Sequence, residues 1–181
     1  MTFQCFVFIA VSLDGYIAKV DGDISWLEDV GYEITDEDYG FEKFFDSIDT
    51  LVVGRNTYQH VLGFPEWPYE NKRVIVLSHS PLTIPVKLSD KVEVANMSPL
   101  ELANYLESTG AEKVYVDGGK TVQGFLQAGL INEMIITTIP ILLGVGKALF
   151  AQLDKEVKLD LLEVNSYKNG FVQSHYAVKS D

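Results

Sequence analysis

The chain has 181 residues, 47% of them hydrophobic, and a formal charge of −12. That size and composition suit one globular domain that buries its own core, and they exclude wholesale disorder. The charge, with no run of Lys and Arg, excludes the basic patch a nucleic-acid partner requires.

Phe3 to Val11 is a near-continuous apolar run, as expected of a strand covered on both faces, and Leu13-Asp14-Gly15 supplies the turn after it. Asp36 to Phe45 spaces Tyr39, Phe41, Phe44 and Phe45 in a helix-like pattern. Thr50 to Val53 reads as a short strand, Arg55 to Val61 as a helix, and Gly63 to Tyr69 as a loop. Arg73 to Leu77 and Val92 to Ala95 are two more buried strands. Ser98-Pro99 with Glu101 makes a capping box for a helix running to Leu106. Lys113 to Val116 is a strand, Thr121 to Ala128 a helix and Met134 to Ile139 a strand. Leu159 to Tyr167 and Phe171 to Val178 flank Lys168-Asn169-Gly170, a hairpin signal. The order predicts a single α/β domain over residues 1–181. It is a three-layer sandwich with a mostly parallel central sheet and an antiparallel C-terminal hairpin.

Cys5 is the only cysteine, so no internal disulfide is available. No signal peptide and no apolar run near the ~20 residues of a spanning helix is visible, so a soluble, cytoplasmic protein without a membrane partner is expected.

Two strand-to-helix junctions carry the chemistry. Val53-Gly54-Arg55-Asn56-Thr57 and Val116-Asp117-Gly118-Gly119-Lys120-Thr121 each put glycine and a cation where a helix begins. Free N–H groups there can hold a phosphate, and Arg55 can pair with one bidentately. Either junction alone is most simply a tight turn; the two together point to a phosphate-bearing ligand beyond the carboxyl ends of the strands. No P-loop is present, and Gly144-Val145-Gly146 lacks the third glycine of a dinucleotide fingerprint, so it reads as a turn. His60, His79 and His175 are dispersed, giving no metal site, and there is no nucleophile elbow. Phosphate-holding turns without nucleophile or metal suit hydride transfer, where a cofactor does the hard chemistry.

Phe8-Ile9-Ala10-Val11-Ser12-Leu13-Asp14-Gly15-Tyr16-Ile17-Ala18, followed by Trp26, resembles the opening of the dihydrofolate-reductase superfamily. It is most similar to the reductase domain of the bifunctional riboflavin-biosynthesis deaminase-reductase. The resemblance continues through Val53 to Tyr58, Leu77-Ser78-His79-Ser80, Val116 to Gly119 and Ile139 to Gly146.

The resemblance implies an NADPH-dependent reductase of a pyrimidine or pterin-like metabolite, with a small-molecule substrate and a homodimeric assembly. Ala10 and Ile17 would border the nicotinamide. Gly54, Arg55 and Thr57 would meet the pyrophosphate or adenosine phosphate, and Ser78 and Ser80 the adenine ribose. Gly118, Gly119, Lys120 and Thr121 would form the second turn. Asp38, Trp26 and Asp14 are the candidates on the catalytic side. Asp38 and Asp14 fit surface and turn roles as well, and Trp26 and Trp67 fit core packing or a heterocycle platform. Dihydrofolate reduction and a non-catalytic NADPH-binding module are the alternatives. The phosphosugar-reading stretch of the riboflavin enzymes is replaced here by Gly63 to Lys72, with Trp67 and Tyr69.

Overall fold

The computed structural model describes residues 2–28, 37–150 and 153–179. Among the described residues ten strands and four α-helices follow one another. β1 is Gln4–Ser12, β2 Tyr16–Ala18, α1 Phe41–Ser47, β3 Thr50–Gly54, α2 Arg55–Val61, β4 Arg73–Leu77 and β5 Val92–Ala95. α3 is Pro99–Ser108, β6 Lys113–Asp117, α4 Gly119–Gln127, β7 Glu133–Ile139, β8 Lys147–Ala148, β9 Leu159–Ser166 and β10 Val172–Val178. Eight strands form one sheet in the order β5-β4-β3-β6-β1-β7-β10-β9. The first six are parallel, and β10 runs antiparallel to β7 and β9.

The central strands are apolar without alternation because both faces are covered. Val52, Ile75 and Val116 pack with Leu102 and Leu106 of α3 and Phe125 of α4. Leu51, Val53 and Val76 pack on the other face with Tyr58 of α2, while Phe44 and Phe45 of α1 close over them. The expected three layers are therefore present. So is the capping box of α3, where Ser98 Oγ accepts from Glu101 N and the Glu101 carboxylate accepts from Ser98 N.

α1 begins later than the hydrophobic spacing predicts. Tyr39 and Gly40 take φ of 55° and 80°, outside the helical region, and the Asp38 carboxylate accepts from the N–H groups of Gly40 and Glu42. The helix can start only at Phe41. Asp36, where the spacing pattern begins, lies outside the described residues. The short antiparallel ribbon of β2 and β8 has no signal in the sequence, since three and two residues carry no period. No helix among the described residues is long and apolar enough to cross a membrane.

Candidate active site

Because β1, β3, β4, β5, β6 and β7 are parallel, their carboxyl ends share one edge of the sheet. β3 and β6 are neighbours, with Val53 opposite Asp117, so the two glycine turns meet there. The fit is close. A Cβ on Gly54 would stand 2.8 Å from Thr121 Oγ1, and one on Gly118 would stand 2.6 Å from Thr57 Oγ1. Gly118 also has φ 95° and ψ 131°, a conformation that side chains strain to adopt. A Cβ on Gly119 would stand 2.8 Å from Ile17 Cδ1, so β2 lies over the second turn. Gln123 of α4 fastens this ribbon by donating to the carbonyls of Ala148 and Leu149.

Gly54, Thr57, Gly118, Gly119 and Thr121 thus form one interlocked unit, with Ile17 against it. Half-buried Arg55 and exposed Lys120 belong to these turns and make no hydrogen bond or ion pair among the described residues. Ser78 follows Leu77, which pairs with Gly54, so it lies one strand from Arg55. Its hydroxyl is engaged, donating to Ser80 O at 2.7 Å.

Ala10 lies late in β1 and packs in a separate cluster with Trp26, Ile139 and Phe171. Trp26 is buried, and its Nε1–H has no partner among the described residues. Nearby, Gln173 donates to Thr137 Oγ1 and to Tyr39 O, both at 3.0 Å.

The two sequence-predicted carboxylates are occupied by backbone. Asp14 accepts from Ser12 Oγ at 2.5 Å, from Gly144 N at 2.7 Å and from Leu143 N at 3.1 Å. It clasps the turn after β1 to the segment before β8. The Ser12 hydroxyl first, then these N–H groups, hold its pKa below the usual carboxylate range. Asp38 is exposed and is likewise held low, by the N–H groups of Glu42 and Gly40. Both stay ionised at neutral pH and so have no proton to give.

A third carboxylate, which closes the strand before the second glycine turn, behaves oppositely. Asp117 ends β6, and burial raises its pKa to about 6, against one lowering bond from Gly118 N. Its second oxygen has no partner among the described residues. The Asp117 charge also raises the phenols of Tyr69 and Tyr115, second to burial in each case. A sequence signal existed: an acidic residue closing the apolar strand Val114-Tyr115-Val116.

Aromatic rings surround this face. Phe8 lies 5.3 Å from Phe41 and 5.0 Å from Phe44, while Tyr115 lies 5.1 Å from Phe44 and donates to Phe8 O. Tyr69 packs on Phe45 at 5.9 Å and on Trp67 at 5.2 Å. A surface depression between Thr2, Gln4 and Gly110–Lys113 opens at the opposite end of the sheet and takes no part.

A doubly covered, mainly parallel sheet, with paired glycine turns and a perturbed carboxylate at its carboxyl edge, defines an α/β fold of the reductase type. The chain belongs to the RibD C-terminal domain family, which it matches over residues 4–173. It is 36% identical to the uncharacterised Bacillus subtilis (strain 168) protein YwjB over 172 residues, covering 94% of this chain and 95% of YwjB. A crystal structure from Shewanella sp. PV-4, named provisionally for riboflavin biosynthesis, superposes with a TM-score of 0.91 at 38% identity, over 98% of this chain and all of that one. The deaminase/5-amino-6-(5-phosphoribosylamino)uracil reductase of Thermotoga maritima shares the fold, with a TM-score of 0.71 at 17% identity, over 97% of this chain and 56% of that one.

Proposed function

We propose that this protein is an NADPH-dependent reductase of a pyrimidine or pterin-like heterocycle. The observation that carries the reading is the perturbed carboxylate of Asp117 beside the interlocked glycine turns. The residues present fit the cofactor: at the two glycine turns the cationic side chains of Arg55 and Lys120 make no hydrogen bond or ion pair among the described residues and so are available to phosphate. Gly118, Gly119, Lys120 and Thr121 would hold the pyrophosphate. Arg55 would take the adenosine 2′-phosphate with Gly54 and Thr57, and Ser78 and Ser80 would border the ribose. Ala10 and Ile17 would flank the nicotinamide, with Trp26 behind Ala10.

When bound, NADPH supplies a hydride to the electrophilic carbon of a C=N or C=O bond. Asp117 then gives its proton to the heteroatom of that bond and is reprotonated from water, so charge and atoms balance. We place the donor at Asp117 instead of Asp38 or Asp14, which have structural partners and lowered pKa values. A protonated Asp117 needs its acid form, so turnover should fall as pH rises through about 6. The test is NADPH oxidation with a panel of pyrimidines and pterins by the native protein and Asp117→Asn. Turnover that the variant loses supports the reading. Turnover of dihydrofolate that survives in Asp117→Asn and collapses in Asp38→Asn would support dihydrofolate reduction instead. Tight NADPH binding without turnover would support a binding module.

For assembly, the observation is the outermost strand β9. Leu159, Leu161, Leu162 and Val164 are exposed there, with Val172 exposed on the neighbouring strand. An edge strand this apolar suits a second copy of the chain. Sedimentation should show a dimer that Leu161→Lys dissociates, and a monomeric native protein would refute it.

A further inference from the structure

We propose that Asp14 is a positioning residue of the cofactor site, and that its carboxylate seats the β2–β8 ribbon on the second glycine turn. The role rests on the reductase reading, since its consequence is for the cofactor that this turn would hold. It needs no proton from Asp14 and no contact between Asp14 and a ligand.

The ribbon cannot hold its own place. β2 and β8 contribute three and two residues and pair at two positions, Tyr16 with Ala148 and Ala18 with Lys147. A two-stranded ribbon is marginal in water even when longer. Leu142 and Val145, in the segment leading into β8, are 69% and 68% exposed, so burial holds little of that stretch beyond Leu143. Yet the ribbon is placed closely. A Cβ on Gly146 would run into Ala18 O, and one on Gly119 would stand 2.8 Å from Ile17 Cδ1 and 3.5 Å from Ala148 O. Both strands therefore lie against the first residue of α4.

Hydrogen bonds supply what burial does not. At the far end Gln123 holds Ala148 O and Leu149 O, and Leu149 N donates to Gly15 O. At the near end the fastening is Asp14. One of its oxygens accepts from Ser12 Oγ and Leu143 N, and the other accepts from Gly144 N. The two backbone bonds span 129 and 130 residues, further than any turn reaches. Ser12 Oγ in turn accepts from Tyr16 N, at the start of β2. Asp14 thus grips both strands, β2 through Ser12 and the approach to β8 directly. Leu143 also packs against the same Trp26 and Ile139 cluster as Ala10, so the clasp steadies both residues proposed to flank the nicotinamide.

Asp14→Asn breaks the clasp with little change of shape. Whichever way the amide turns, at least one backbone N–H then faces an NH2 group. Asp49 is a matched control. It is exposed like Asp14, and its carboxylate accepts from Thr50 Oγ1, Glu112 N and Lys113 N, joining distant segments at the opposite end of the sheet.

The experiment combines hydrogen exchange, read by mass spectrometry, with calorimetric titration of NADPH and NADH. Both are run on the full chain as native protein, Asp14→Asn and Asp49→Asn. The expected result is faster exchange over residues 143–149 and 118–121 in Asp14→Asn alone. NADPH and NADH should weaken by the same factor in that variant, about fivefold or more, the low end of coupling between distinct sites. The factors match because Asp14 acts at the second turn, away from the 2′-phosphate. Asp49→Asn should lose a comparable amount of Tm and keep both affinities. Unchanged exchange at the two segments, unchanged affinity in Asp14→Asn, or an equal loss of affinity in Asp49→Asn overturns the proposal. Should Asp14→Asn melt below the assay temperature, Ser12→Ala takes its place, because it cuts the link to Tyr16 N and is read by the same outcomes. A native protein that binds neither cofactor would sink the reductase reading, while the exchange data decide separately whether Asp14 seats the ribbon.

Discussion

Replacing Gly118 by alanine tests whether the two glycine turns interlock as the distances require. Gly118 has φ 95°, and a Cβ would come within 2.6 Å of Thr57 Oγ1. The backbone strain costs about 1–3 kcal/mol. Overpacking against a β-branched residue held in a helix costs roughly another 1–3 kcal/mol. A central total of about 4 kcal/mol lowers Tm by about 8–16 °C for a domain of this size, at roughly 2–4 °C per kcal/mol. Gly110→Ala is the control, because Gly110 has φ 75° but open space around its Cβ position. It bears strain alone, about 1–2 kcal/mol. Thermal melts of the two variants, side by side, read the difference. Equal losses would mean that Gly118 is needed only for its dihedral angles, and the interlocking of the turns would be refuted.

Asp117→Asn should cut turnover by about 10²–10⁴, the usual worth of a positioned proton donor. It should also stabilise the protein. The folded pKa is raised from 3.8 to about 6, so stability falls as pH rises between those values and the full cost is present above them. Denaturant melts should show the variant more stable by about 1–2 kcal/mol above pH 7, after allowance for partial exposure, and level with the native protein below pH ~4. Arg55→Ala should weaken NADPH by about 1.5–3 kcal/mol while leaving NADH nearly unchanged. Equal weakening of both would move Arg55 to the pyrophosphate. Asp38→Ala should lower Tm without changing turnover, and the loss should vanish in acid, because a lowered pKa stabilises only above the carboxylate range. A turnover collapse would return the proton donor to Asp38.

Much of the fold was legible because each signal was local. Arg73–Leu77, Val92–Ala95 and Arg55–Val61 occupy the residues their apolar patterns mark. The capping box at Ser98 is a pairing three residues apart. What was illegible depends on distant contacts. The β2–β8 ribbon joins Tyr16 to Ala148, and Tyr39, whose positive φ delays α1, has its hydroxyl and carbonyl held by Asn169 and Gln173. The candidate site divides the same way. The glycine turns are visible as motifs, whereas the burial that raises the Asp117 carboxyl comes from the elements packed around the end of β6. Likewise, nothing near Asp14 in sequence reveals the N–H groups of Leu143 and Gly144 that occupy its carboxylate.

The account turns on the glycine turns as a cofactor cradle, and an equilibrium titration tests it most directly. NADPH and NADH would be added in turn to the native protein and to Gly119→Val, with intrinsic tryptophan fluorescence as the readout. A side chain at Gly119 runs into Ile17 Cδ1 and toward Ala148 O, where the ribbon covers the turn. The predicted result is saturable quenching of the native protein, at least tenfold tighter for NADPH than for NADH by the worth of a charge-assisted contact to the extra phosphate. Gly119→Val should lose that quenching while still melting cooperatively. No saturable response to NADPH, equal affinity for both cofactors, or a folded Gly119→Val that binds normally would contradict the account.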